Sequence, residues 1–269
     1  MSTSADWDTL DDFEVHQVTY DGESKAVFRK GEGPAVIVIS EIPGITPPVA
    51  DFARRVADLG CTVAMPSLFG DPGRPVSVGY LARSLTGACV SREFTTWAAG
   101  RTSPVTVWLR HLARDLHDEL GGPGVGVVGM CLTGGFALAM MVDDEVVAPV
   151  LSQPSLPFPV GKGRKSDLGI SADDLARVKA RVDEGVCVLG LRFTGDPAVP
   201  ADRFARLREE LGDGFVGVEI DSSKGNPHGI PTTAHSVLTE HLVDEPGHPT
   251  HDALNQVLDL FRERLLTDT

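Results

Sequence analysis

Cysteine is scarce in this chain: four in 269 residues, Cys61, Cys89, Cys131 and Cys187, widely separated and without a CxxC pair. That spacing excludes a disulfide framework and a zinc ribbon, and it reads as free thiols in a reducing compartment. Basic residues are also few, 24 Lys and Arg against 38 Asp and Glu, a formal net charge of −14. Such a surplus of acid repels phosphate backbones and anionic lipid, so neither nucleic acid nor a membrane is an expected partner. No apolar run is long enough to cross a bilayer. The opening stretch, MSTSADWDTLDD, is acidic and lacks the basic and apolar regions of a secretory signal, which points to a cytoplasmic protein. Low-complexity linkers and internal repeats are absent. The expected organisation is a mobile acidic tail over residues 1–12 and one domain over 13–269.

What is present alternates. PAVIVIS (34–40) is almost wholly apolar, as a strand covered on both faces must be. PPVADFARRVADLG (47–60) follows with helical spacing and a closing glycine. CTVAMP (61–66) reads as a strand. SPVTVWLRHLARDLHDELGG (103–122) is an amphipathic helix with serine and proline at its start and glycine at its end. VGVV (125–128) is a short buried strand and GGFALAMMV (134–142) an internal helix. Further strand and helix patterns alternate to the C-terminus. The pattern implies an α/β fold: a mostly parallel central sheet with helices on both faces.

Between the strand ending near Gly129 and the helix starting near Gly134 lies GMCLTGG. A strand–turn–helix elbow of this kind lifts its central side chain off the sheet, beside backbone N–H groups that favour a thiolate and an oxyanion. Cys131 is the candidate nucleophile; the competing reading is a small buried hydrophobe. GVGVVG (124–129) matches G-x-G-x-x-G literally, but its glycines lie within the strand rather than after it, so a dinucleotide site is not expected. Downstream, RFTGDPAVP places Asp196 directly after an apolar strand, and TTAHSVLTEH places His235 before the last helix. Acid then histidine is the chain order of an α/β-hydrolase triad. Asp196 has the alternative of a turn residue before proline. His228, in NPHGIP, rivals His235, whereas His241, His248 and His251 read as solvated surface residues. The pair His248 and His251 has no ligand pattern that calls for a metal.

Five segments in order resemble the dienelactone hydrolase family, whose nucleophile is a cysteine: PAVIVISEIPGI, GCTVAMPSLFG, GMCLTGG, GDPAVPAD and AHS. The resemblance runs from about residue 34 to the C-terminus and implies an α/β-hydrolase fold. It also implies a cofactor-independent, metal-free hydrolase of small-molecule esters or lactones that works through a thioester. It assigns Cys131 to attack, His235 to proton transfer, and Asp196 to orienting the histidine. Backbone N–H groups of Ile42 and Leu132 would form the oxyanion hole. Glu41 would contact the resting thiol, and Ser236 would stand beside substrate.

Four positions depart from the family pattern. Thr133 replaces a glycine, Pro43 an aromatic residue and Ser67 an acid, and Thr239 lies near the place of a substrate-binding arginine. Other arginines that could serve, Arg83, Arg92 and Arg101, fall in a stretch that fixes none of them. Pro-rich, apolar SQPSLPFPV (152–160) is expected to line a pocket wall. A substrate without a carboxylate is therefore expected, while the oligomeric state stays open. Two alternatives from other classes stand beside the hydrolase: a non-catalytic binding protein on this fold, and a thiol sensor built on Cys131, for which no resolving cysteine is evident.

Overall fold

The structure is a computed structural model that describes residues 7–90, 94, 100–161 and 163–267, without the side chains of 89 and 90. Its frame is one eight-stranded sheet in the order β1-β2-β4-β3-β5-β6-β7-β8. Strands β3 (Ala35–Ile39), β4 (Thr62–Pro66), β5 (Val125–Met130), β6 (Val146–Ser152), β7 (Val188–Phe193) and β8 (Phe215–Ile220) run parallel. β3 and β5 are buried at every position, which is why they read as unbroken apolar runs.

Alternation within those runs separates two cores. Ile37 and Ile39 face the side packed by α3 (Pro104–Leu120) and α4 (Gly134–Met140). Val36 and Val38 face the opposite side, covered by α1 (Pro47–Ala57) and α7 (Pro249–Phe261). Each fully buried Val, Leu or Ile is worth about 1.5–3 kcal/mol of transfer free energy, so the sheet is the main store of stability. Helices α2 (Val78–Val90), α5 (Ala172–Asp183) and α6 (Ala201–Leu211) complete the layers. Proline stands in the first turn of α1, α3 and α7, where its missing N–H costs nothing.

The N-terminal region differs from the sequence expectation. Strands β1 (Glu14–Tyr20) and β2 (Glu23–Lys30) form an antiparallel hairpin, and β2 joins the sheet antiparallel to β4. The turn is Asp21–Gly22, with φ of 51° and 84°, the pairing that a two-residue hairpin with right-handed twist demands. Nor is the whole of 1–12 a tail. The Trp7 indole donates to the Pro72 carbonyl at 3.0 Å, Asp8 N–H donates to Gly73 O at 2.9 Å, and Leu10 is buried. Arg54 of α1 holds Asp8 and Asp12 with four hydrogen bonds of 2.8–3.0 Å. Residues 1–6 lie outside the described residues.

Strand order reverses between β3 and β5: the chain leaves β3 for β4 on one side and returns to β5 on the other. The carboxyl ends of two such strands leave a crevice between their departing loops, the usual place for a site in an open α/β sheet. Ile39 pairs with Gly129 in this register, so Glu41 and Cys131 emerge side by side at the crevice.

Candidate active site

The elbow follows from close packing. Cys131 has φ of 57°, a strained conformation for a residue with a side chain. A Cβ on Gly129 would lie 2.1 Å from the Thr133 carbonyl oxygen, so only glycine lets the chain fold back here. A 3-10 turn, Cys131–Thr133, then leads into α4. Thr133, the departure from glycine, closes the turn. Its buried hydroxyl accepts from Met130 N–H at 2.9 Å and lies within 2.9 Å of the carbonyls of Ile39 and Met130. The hydroxyl therefore ties the end of β5 to the end of β3.

Cys131, His235 and Asp196 come together from three separate loops. The His235 Nδ1 is 2.6 Å from Asp196 Oδ2, and the other oxygen of that carboxylate accepts from Ala198 N–H at 2.9 Å. Asp196 is almost fully enclosed, which fits an orienting acid better than an exposed turn residue. Cys131 and the same imidazole line one cavity, and the two side chains interact there. Burial alone would push the His235 ring towards neutrality; interaction with the Cys131 sulfur and with the Asp196 carboxylate outweighs it and holds the ring well above the ordinary histidine value. His228 is exposed and packs edge-on against His248, 5.3 Å between ring centres, away from the sulfur.

Glu41 is 4% exposed and its hydrogen bonds run to other partners than the thiol. Oε2 accepts from Ser236 Oγ at 2.5 Å and from Gln153 Nε2 at 3.2 Å, and Oε1 accepts from the Thr239 hydroxyl. Three donors hold the carboxylate where it stands. Thr239, at the place of the arginine, is buried and engaged with Glu41.

His241 corrects the reading of a solvated surface residue. It lines the cavity, and its Nδ1 faces Ser236 N–H at 3.3 Å, bracing the loop that carries His235. Loss of water and the nearby His235 charge lower its basicity, which keeps Nδ1 free to accept. His248 caps α7, accepting from Thr250 N–H at 3.3 Å, and His251 meets Asp244 at 2.8 Å. Sequence reasoning missed Gln153 and Ser155 as individual site residues. Polar residues immediately after an apolar buried strand, SQPS after VVAPVL, were the available signal.

The site opens into a cavity of about 460 Å3. Ile42 and Leu132, the expected oxyanion residues, flank Cys131 in its wall, and Ser155 and Phe158 line it as the Pro-rich stretch suggested. Among the described residues no Lys or Arg lines it; Glu41 and Glu240 do. Loss of water at the wall, and then the Glu41 charge, raise the Glu240 carboxyl. Arg83 is exposed and paired with Asp71 at 2.9 Å. Arg101 is exposed beside a separate small cleft, and Arg92 lies outside the described residues.

Two buried arginines brace the surroundings. Arg203, 1% exposed, donates to the carbonyls of Pro154 (2.5 Å), Pro157 (2.7 Å), Asp167 (2.9 Å) and Arg164 (3.3 Å). Burial lowers its pKa to about 10, which leaves it charged at neutral pH. Arg192 donates to Val199 O at 2.6 Å and holds the acid loop from below.

Comparison with known proteins agrees with this architecture. The chain matches the dienelactone hydrolase family model over residues 19–265. It is 26% identical over 204 residues to a Saccharomyces cerevisiae protein named "Putative carboxymethylenebutenolidase", covering 72% of this chain and 70% of that one. A Klebsiella pneumoniae structure named "Putative Dienelactone Hydrolase" superposes with a TM-score of 0.62 at 18% identity, covering 93% of this chain and 99% of that one. The promiscuous phosphotriesterase P91, from metagenomic libraries, gives 0.58 at 19% identity, with 94% and 99% covered. At such identities the structural likeness speaks for the fold, an α/β-hydrolase sheet, and the family match carries the chemistry as far as hydrolysis. The chain belongs to the dienelactone hydrolase family.

Proposed function

We propose that this protein hydrolyses carboxylic esters or lactones, without a cofactor, through Cys131, His235 and Asp196. The observation that carries the reading is the placement of His235 between the Asp196 carboxylate, at 2.6 Å, and the Cys131 sulfur. His235 takes the thiol proton at Nε2 while Asp196 holds Nδ1. The sulfur then bonds to the substrate carbonyl carbon, and the carbonyl π pair moves onto oxygen. Backbone N–H groups of Leu132 and Ile42 are assigned to that oxyanion. Collapse breaks the ester C–O bond, and the departing alkoxide takes the proton from His235. A thioester remains; in a lactone the alcohol stays tethered to it. Water, giving a proton to His235, adds to the thioester. Breaking the C–S bond returns the electron pair to sulfur and restores the thiolate–imidazolium pair.

The lining supports neutral substrates. A carboxylate entering this cavity meets Glu41 and Glu240 and finds no Lys or Arg among the described residues that line it. Neutral lactones are expected to exceed carboxylate-bearing dienelactone in kcat/KM. No helix among the described residues is long and apolar enough to cross a membrane, and Cys61, Cys131 and Cys187 are free thiols, which supports a reducing, cytoplasmic setting.

A panel of lactones and p-nitrophenyl esters, assayed with the wild type and Cys131→Ala, tests the reading. Turnover by the wild type, its loss in Cys131→Ala, and an acyl adduct on the Cys131 peptide by mass spectrometry are expected. Undiminished turnover in Cys131→Ala would overturn it.

A further inference from the structure

A second side chain reaches the sulfur. Ser155, in the loop after β6, is 1% exposed, and its Oγ lies 3.7 Å from Cys131 Sγ, within range for a hydroxyl donating to the large sulfur atom. The same Oγ lies 3.0 Å from the Gln153 carbonyl oxygen. One hydroxyl proton therefore has two acceptors, and rotation about the Cβ–Oγ bond moves it between them without displacing a heavy atom. The distance to sulfur is fixed from several directions. Ser155 N–H donates to the Cys131 carbonyl at 2.9 Å, and Arg203 grips the carbonyls of Pro154 and Pro157 on either side.

We propose that Ser155 is a catalytic residue of this site, whose hydroxyl turns from the Gln153 carbonyl to the Cys131 sulfur whenever the sulfur carries charge. The proposal rests on the Cys131 reading above. A thiolate is a far stronger acceptor than a thiol, and the enclosed Ser155 hydroxyl has no bulk water as an alternative partner. The sulfur is charged twice per turnover: before attack, and when the C–S bond of the second tetrahedral intermediate breaks and the electron pair returns to it. The second moment sets the role. Donation from Ser155 makes the sulfur a better leaving group, so the thioester breaks down faster. In the first step the same bond populates the thiolate but weakens as the sulfur attacks, so acylation gains little.

Ser155→Ala and Ser155→Thr test this with an ester whose thioester accumulates. In Ser155→Ala, kcat and KM are expected to fall together by about tenfold, the scale of one hydrogen bond to a charged group, with kcat/KM nearly unchanged. Ser155→Thr, which keeps the hydroxyl, restores both. Ultraviolet absorbance of the thiolate, taken as the difference from Cys131→Ala, gives a second readout that needs no turnover. It is expected to fall several-fold at neutral pH in Ser155→Ala and to match the wild type in strong alkali, where the thiol ionises regardless. The other ionisable groups of the site, His235 with Asp196 behind it, His241, Glu41 and Glu240, are the same in all three proteins.

Unchanged kinetics and thiolate absorbance in Ser155→Ala would overturn the proposal. So would a loss confined to kcat/KM, the mark of a displaced elbow, or failure of threonine to restore a folded enzyme of unchanged melting temperature. Retained hydrolysis in Cys131→Ala would instead strike the underlying reading, so the two failures are separable.

Discussion

The cavity wall built on the ends of β3, β5 and β6 consists of residues such as Glu41, Leu132 and Ser155, at 4%, 3% and 1% exposure, whereas the wall built on α2 presents Leu81 and Leu85 at 40% and 38%. The first is held by hydrogen bonds from buried side chains: Thr133 between two strand ends, Gln153 on Glu41, and Arg203 on four carbonyls. The second is apolar side chains on one helix face, two residues four apart and so on the same side. A reacting centre tolerates little displacement, because misplacing it by about 1 Å can cost a hundredfold in rate. A surface that only receives an apolar group tolerates change. The contrast predicts that changes to the buried wall act on rate and changes to the α2 wall on substrate choice.

The contrast can be broken hardest at Arg203. Arg203→Met leaves four carbonyls, two of them buried, without their donor, and a loss of about 3 kcal/mol or more is expected. That corresponds to a fall in melting temperature of roughly 6–12 °C for a chain of this size, read by calorimetry. A fall of only one or two degrees would show that the 154–167 loop holds itself. Next in size, His235→Ala and Asp196→Asn are expected to lower kcat about a hundredfold or more, while His228→Ala leaves it near wild type. Steady-state kinetics decides, and a severe His228→Ala with a mild His235→Ala would reverse the assignment.

Acid gives a smaller effect at the N-terminal segment. The Arg54 hydrogen bonds hold the carboxyls of Asp8 and Asp12 below their ordinary values. A depressed carboxyl contributes stability above its unfolded value, near 4, and loses it as pH falls through the lower folded value. Arg54→Ala is thus expected to lose a few degrees of melting temperature at pH 7, with the gap to wild type closing progressively below pH 4. A gap independent of pH would exclude the ion pairs as its source. Smallest, Leu81→Ser and Leu85→Ser should raise KM for long-chain esters severalfold, since each removes one apolar contact, and leave kcat for acetate esters unchanged. Equal effects on both substrates would remove α2 from the acyl site.

From β3 onward the sheet was legible, because strands buried on both faces must be apolar throughout. The β1–β2 hairpin was hidden by its half-exposed, charge-rich strands, although Asp21–Gly22 signalled the turn. Helix α2 was hidden by Gly79 and Gly87, which dilute its periodicity. The convergence of Cys131, Asp196 and His235 was legible because each sits in a local pattern of turn and strand end. The roles of Gln153 and Ser155 were not, because they arise from contacts 112 and 24 residues away in sequence. The contacts of Asp8 and Asp12 were hidden for the same reason: Arg54 lies 46 and 42 residues on.

The segment over residues 7–12 reaches further than its own stability. Trp7 and Asp8 bond the carbonyls of Pro72 and Gly73, and Gly73 N–H donates to Ile45 O at 2.6 Å, just before the chain reaches Val76 on the cavity wall. Arg74 lies between the rings of Trp7 and Tyr80, the latter on α2. Loss of the Trp7 or Asp8 contacts would thus loosen the lead-in to the α2 side of the cavity. A change at the amino end would then be read in KM, far along the chain from the residues that line the opposite wall.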